Sequence, residues 1–259
     1  VFHPNSGSFF KLKSDDETNI WRYLDFTKFA AMLDSSALFF SRLDRFDDPY
    51  EGATTQLTLE KRNRRLEELV ANHPQHDRER YRNRMLIHYK NRFHIRKRIA
   101  ANCWHKNEHE SEAMWKLYVP SGEGVAIKTT IKGLKDALEP HPELFYIADI
   151  EYQDYSTFTF TDNSVLDQSL VKRASFSHES ELRTFLVKDL GDLNKHEELH
   201  DSPIDYGINV KIDVNTLVQE LYICPSAPSW FASLVENTAK KYGMTSEVKH
   251  SLLDQLPVF

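Results

Sequence analysis

Two glutamates carry the clearest chemical signal in this chain: Glu179 and Glu181, in the run His178-Glu179-Ser180-Glu181. On a strand, residues two apart point to the same face. Paired carboxylates at a sheet end can divide labour. One holds a ribose hydroxyl and stabilises an oxocarbenium-like centre, while the other activates a nucleophile, as glycosidic cleavage requires. The same glutamates also suit a structural ion-pair network with Arg183 and with Arg22, Arg42 or Arg173. An echo, His109-Glu110-Ser111-Glu112, precedes another apolar stretch. There Ser111 is placed to cap a helix, with acidic residues on the positive end of its dipole.

Other candidates are weaker. Cys103 and His105 form Cys-x-His on a strand, but a reactive thiolate needs a base or positive field, and none is identified beside Cys103. A buried, inert thiol is the expectation. His105, His109, Glu110 and Glu112 have loose metal-ligand spacing. Helical metal sites place histidines four apart on one helix, so no metal is assigned. The acidic turn 44–51, with Asp44, Asp47, Asp48 and Glu51, would hold a divalent cation for phosphodiester cleavage. It lacks the spacing and central glycine of a calcium loop, and a turn whose Asp side chains accept from nearby amides is the simpler reading. Tyr50 and Trp104 would stack on a base or nicotinamide, whereas Trp115 and Tyr118 are expected in the core.

The elements that position these residues follow from periodicity and punctuation. Strands are expected at 20–24, 37–41, 100–105, 124–130, 144–152, 181–188, 207–212 and 218–224. Helices are expected at 25–33, capped by Asp25 or Thr27, at 111–118, from 131 through 138, at 165–174 and at 228–243. The last helix would turn Trp230, Phe231, Leu234 and Val235 inward. Residues 155–164 read as a loop or lid, 191–206 as a polar hairpin loop, and 248–253 as a short strand or helix. Residues 57–99 read as two charged helices broken at Pro74. The interleaving predicts an α+β fold: a twisted mixed or antiparallel sheet with flanking helices and a basic helical insertion at 57–99, within a single domain spanning 1–259.

Composition and charge narrow the classes. The chain has 259 residues, 40% hydrophobic and 28% charged, which excludes a wholly disordered chain, and its 8 glycines exclude a collagenous one. No run approaches the roughly 18 apolar residues of a membrane span, so no membrane partner is expected. The opening residues lack the basic and apolar regions of a secretory signal. Two cysteines cannot build a disulfide framework, and a reducing cytoplasm is the simple setting. No glycine-rich phosphate loop is present, which disfavours P-loop nucleotidases and Rossmann dehydrogenases. The net charge of -6 hides a split. Lys61 to Arg98 holds 13 basic and 4 acidic residues, a local +9, against -15 elsewhere. Arg82, Arg84, Arg92, Arg96, Lys97 and Arg98 are the candidate nucleic-acid contacts; a solvated helical face is the bland alternative.

Four stretches together resemble a large, mostly bacterial family, the domain of unknown function 2971 family. They are Phe46 to Gly52 (FDDPYEG); Asn102-Cys103-Trp104-His105 with Ala113-Met114-Trp115-Lys116-Leu117-Tyr118; Gly124-Val125-Ala126-Ile127; and Lys172-Arg173, Phe176, His178-Glu179 and Glu181-Leu182-Arg183. That resemblance covers about residues 20 to 190, implies architecture more than activity, and makes a bacterial toxin or phage-defence setting plausible. Glu179-Ser180-Glu181 is also similar to the Glu-x-Glu motif of ADP-ribosyltransferases. This likeness implies NAD as cofactor, with Arg22 on its phosphate, Thr129, Thr130 or Ser41 as the middle-strand hydroxyl, Glu181 orienting the nicotinamide ribose and Glu179 assisting the acceptor. The middle strand departs from the family's Ser-Thr-Ser. Two alternatives stand beside this reading: a metal-dependent nuclease using the acidic turn, and a non-catalytic nucleic-acid- or protein-binding module.

Overall fold

The apolar residues sort into one large and two smaller buried clusters, on opposite faces of a central sheet. The structure, a computed structural model, describes residues 12–161, 166–189 and 201–254. The first described elements are β1 (Asn19–Asp25), α1 (Phe26–Ser35) and β2 (Ala37–Arg42). Asp25 caps α1 by accepting from the Lys28 amide, and Ser36 ends it in the left-handed region at φ 43°. Two long helices follow, α2 (Gln56–Ala71) and α3 (Arg78–His94), separated at Pro74 as expected, and a 3-10 turn at Ile95–Arg98. Next come β3 (Ile99–Lys106), α4 (Glu112–Tyr118), β4 (Gly124–Thr130), α5 (Ile131–Leu138), β5 (Phe145–Asp149), β6 (Glu151–Gln153), β7 (Val171–Arg173) and β8 (Glu181–Val187). The chain then runs through β9 (Gly207–Lys211), α6 (Val214–Leu217), β10 (Glu220–Ile223), α7 (Ser229–Lys241) and β11 (Glu247–His250).

Nine of these strands make one mixed sheet, ordered β11-β10-β4-β1-β3-β2-β9, with β8 also on β3 and β5 on β8. Only the β10–β11 pair in it is parallel, so the fold is α+β. β8 pairs with β3 along Ile99–His105, which occupies one edge of β3. The other edge is shared: β1 takes its end at His105 and Lys106, and β2 its beginning at Ala100 and Ala101. The unclaimed stretch at residues 102–104 between them becomes a slit.

One sheet face carries the large core. Ile20, Leu24, Val125, Ile127, Leu182 and Leu186 pack there against Phe29 and Leu33 of α1, Leu134 and Leu138 of α5 and Phe231 and Val235 of α7. The other face carries the two smaller clusters. One centres on Trp21, Tyr23 and Trp115 under α4; the other on Leu43, Ile95, Ile99 and Phe185 near the end of α3. Between them that face is polar.

Some expectations need correction. The expected helix at 165–174 is a 3-10 turn at Asp167–Ser169 followed by β7, which pairs in parallel with β6. The expected strand 144–152 divides at Ile150, sending β5 to the large sheet and β6 to the small one. Trp104 is 2% exposed and belongs to the core, while Tyr118 is 47% exposed. Trp230 and Leu234 face outward on α7, and Phe231 and Val235 inward. The described part of the 155–164 loop is pinned rather than free-standing: the Thr55 hydroxyl donates to the Phe158 carbonyl, and the Phe160 amide to the Thr58 hydroxyl. Residues 162–164 of that loop and 191–200 of the expected hairpin loop lie outside the described residues.

Gly124 shows how tightly β4 enters the sheet. An added Cβ would lie 2.4 Å from the Leu24 carbonyl oxygen and 2.6 Å from a Val119 methyl. Gly124→Ala is expected to destabilise the protein by about 1–3 kcal/mol through overpacking. A urea midpoint equal to wild type would remove this close approach from the account.

Candidate functional site

On the polar strip of the sheet, β3 contributes Cys103 and His105, and β8 contributes Glu181 and Arg183 directly opposite them. Arg183 is fully buried. Its Nε donates to Glu181 Oε1 at 2.7 Å, its Nη1 to Glu51 Oε2 at 3.1 Å and to the Ser169 carbonyl at 2.7 Å, and its Nη2 to Glu51 Oε1 at 3.2 Å. Lys172 of β7 enters from the side. Its ammonium lies 2.5 Å from Glu179 Oε2, 3.2 Å from Glu181 Oε2 and 3.2 Å from Glu51 Oε1. Three carboxylates thus share two buried cations. Phe46 lies under the Arg183 guanidinium and Phe176 under the Lys172 ammonium.

The expected strand geometry of the glutamate pair is corrected. Glu179 ends a 3-10 turn, Ser180 is left-handed at φ 40°, and only Glu181 lies on β8. The two carboxylates still converge, because both bind Lys172. Since one ammonium touches both, their nearest oxygens are separated by no more than the two contact distances together. That bound lies below the roughly 6.5–9.5 Å of inverting carboxylate pairs.

Their environments differ. Burial alone would raise Glu181, but Arg183 and Lys172 outweigh it and hold its carboxyl well below the usual range. For Glu179 burial prevails over the pull of Lys172, and its carboxyl is pushed up. Burial works against the charged form of Lys172, but Glu181 and Glu51 more than compensate, so it stays protonated. Burial and the adjacent Glu181 push the Cys103 thiol well up, which keeps it protonated and a poor nucleophile. His105 donates from Nδ1 to the Glu179 carbonyl at 2.6 Å, since a carbonyl can only accept. Burial lowers its pKa, so the ring is neutral. Tyr118 presents a half-exposed ring; burial and then Glu179, Cys103 and Glu181 push its hydroxyl up.

Arg22 fills the slit in the edge of β3. Its Nη1 donates to the Cys103 carbonyl at 2.7 Å and to Asn102 Oδ1 at 3.1 Å, and its guanidinium lies over Trp104. Cys103 and Tyr118 are within electrostatic range of it. Glu179 and Glu181 meet at Lys172, whereas Arg22 reaches only the backbone carbonyl of Cys103 and stands beside Asn102 and Trp104, on the side of the sheet that carries Ile20 and Leu24. Ser41 and Thr129 join neither group. Ser41 sits where β2 pairs with β3 and β9, and Thr129 is fully buried on the opposite face, across from Ile20.

The acidic turn is engaged elsewhere. Asp44 pairs with Arg42, Asp48 with Arg173 and the Tyr50 amide, and Glu51 with Arg183 and Lys172. Among the described residues no cluster of three or more potential ligands is arranged to hold a metal ion. The six candidate basic contacts of the insertion do not form one stripe. Arg92 and Arg98 are buried, and Arg98 donates to the Asp189 and Asp201 carbonyls. Arg96 stacks on Phe93 at 3.9 Å, and Arg82 pairs with Glu67. Arg84 is exposed and Lys97 half-buried. Among the described residues no helix is long and apolar enough to cross a membrane.

Sequence reasoning missed Lys172 as the hub and Tyr118 as the exposed ring beside it. Lys172 was signalled only by lying within the resembling stretch, and Tyr118 by standing at the end of its helix. No family model matches this chain, and no curated protein or solved structure is significantly similar to it.

Proposed function

We propose that the protein is an ADP-ribosyltransferase-like enzyme that acts on the N-glycosidic bond of NAD. One observation supports this most: two glutamates bound to a single lysine, one held ionised and the other pushed toward protonation. Carboxylates whose environments drive their pKa values apart take different roles in a site. Both Glu181 oxygens are committed to buried cations, so Glu181 acts through Lys172 and Arg183 as a fixed negative charge behind the site. Glu179 is the carboxylate nearer solvent, beside the exposed Tyr118 ring.

The donor fits part of this arrangement. Tyr118 offers a flat face for a nicotinamide or adenine ring, and Glu179 an acceptor for a ribose hydroxyl. Arg22, Ser41 and Thr129 take no part. The bond from the ribose anomeric carbon to the nicotinamide nitrogen breaks, and nicotinamide leaves with the electron pair. An acceptor oxygen or nitrogen bonds to that carbon, and its proton passes to Glu179. Nothing in the acidic turn favours the nuclease reading, because three of its four carboxylates already bind cations.

Incubation with NAD labelled in the adenine ring, together with cell lysate and mixed nucleic acids, tests this. Label should move to one acceptor fraction as nicotinamide is released, and Tyr118→Ala should weaken NAD use while the fold persists. Folded wild-type protein that neither transfers label nor consumes NAD would sink the proposal.

A further inference from the structure

The two helices of the insertion enclose a groove of about 700 Å³. Its floor is apolar, formed by Leu59 of α2 and by Leu86, Ile87 and Phe93 of α3. Leu59, Leu86 and Phe93 remain 42%, 39% and 41% exposed, although each has the bulk to sit in a core. Of the charged side chains lining the groove, Lys90 is exposed and Arg62 is buried against Tyr89, and among the described residues no carboxylate lines it. Residues 83, 86, 87, 90, 93 and 94 of α3 follow helical spacing, so the groove runs along about three turns, or roughly 16 Å. Two antiparallel helices that leave an apolar seam open have the geometry into which a third amphipathic helix packs.

We infer that this groove receives an acidic amphipathic helix from a partner protein. The seam supplies pockets for apolar anchors at i, i+3, i+4 and i+7, and the exposed Lys90 beside it complements carboxylates flanking those anchors. The surrounding segment, at +9, adds long-range attraction for an acidic partner. A nucleic-acid duplex fits less well. Its phosphates would use the cations, but its surface offers nothing to the three exposed apolar side chains.

Three probes separate the outcomes: a labelled helix-forming peptide of about 15 residues with Leu anchors and Glu elsewhere, the same peptide with Lys for Glu, and a duplex of about 20 base pairs. Fluorescence anisotropy with the full chain should show saturable binding of the acidic peptide. Leu59→Ser with Leu86→Ser, and separately Lys90→Glu, should each weaken it at least tenfold while circular dichroism stays unchanged. These side chains are exposed enough for the fold to tolerate them. Equal binding of both peptides, or acidic-peptide binding indifferent to the variants, would overturn the inference. So would duplex binding abolished by the same leucine variants, which would assign the groove to nucleic acid.

Discussion

Replacing Arg183 by Met should destabilise the protein by about 3–5 kcal/mol, because it strands Glu51 and Glu181 without their shared guanidinium in a buried site. That is a large part of the 5–15 kcal/mol by which domains of this kind are stable. Met keeps most of the volume, so the loss reports charge rather than a cavity. The control is Arg183→Met combined with Glu51→Gln and Glu181→Gln. If stranded charge is the cause, the triple variant should be more stable than Arg183→Met alone, since swapping a whole buried network for neutral groups costs far less than breaking it. Urea denaturation of the wild type, Arg183→Met, the Glu51→Gln/Glu181→Gln double variant and the triple variant decides the point. A triple variant losing the sum of the separate losses would mean that the carboxylates and the guanidinium contribute independently.

Glu179→Gln should lower NAD turnover by about 10²- to 10⁴-fold, the usual contribution of a positioned acid–base group. The amide keeps the shape and still accepts from Lys172, so stability should change little. The pH profile carries the sharper expectation. A group that takes the acceptor's proton works only when deprotonated, so activity should rise as pH passes upward through the Glu179 pKa. Burial places that value above the ordinary 4.5. Glu181, held low by Arg183 and Lys172, should add no limb in the same range. The acid limb should therefore vanish in Glu179→Gln. A variant of reduced rate that keeps the wild-type acid limb would assign the limb to another group.

Much of the frame was legible from local pattern. The spacing of Phe26, Phe29, Ala30 and Leu33 marks α1, and Asp25 caps it as its position suggested. Ser111 caps α4, accepting from the Met114 amide. Pro74 separates the insertion's helices. The site was legible only in part. Type and order single out Glu179, Glu181 and Arg22; the two glutamates meet at Lys172, while Arg22 bonds the Cys103 carbonyl instead. Lys172 was hidden because Val171–Arg173 is too short for any period, and its strand character comes from pairing with β6, about 20 residues earlier. The left-handed Ser180 was hidden because a non-glycine residue adopts that conformation only when its surroundings hold it there. The facing of Tyr118 and Trp230 depends on which part of each helix the sheet covers, and apolar type alone does not encode that.

The insertion holding α2 and α3 leaves the sheet from β2 and returns on β3, two strands that lie side by side with Ser41 opposite Ala101. Topologically, it is the overgrown connection of a β-hairpin. The entropy of closing such a connection rises only logarithmically with its length, by about 0.6 kcal/mol per doubling. Over evolutionary time this makes the helical pair inexpensive to lengthen, recharge or exchange. The constraint falls instead on its two ends, since Phe46 and Glu51 lie against Arg183 and Ile95 packs in the cluster of Leu43 and Phe185. Descendants of such a chain are free to change what they recognise at the tip of the hairpin while inheriting the charged centre at its base intact.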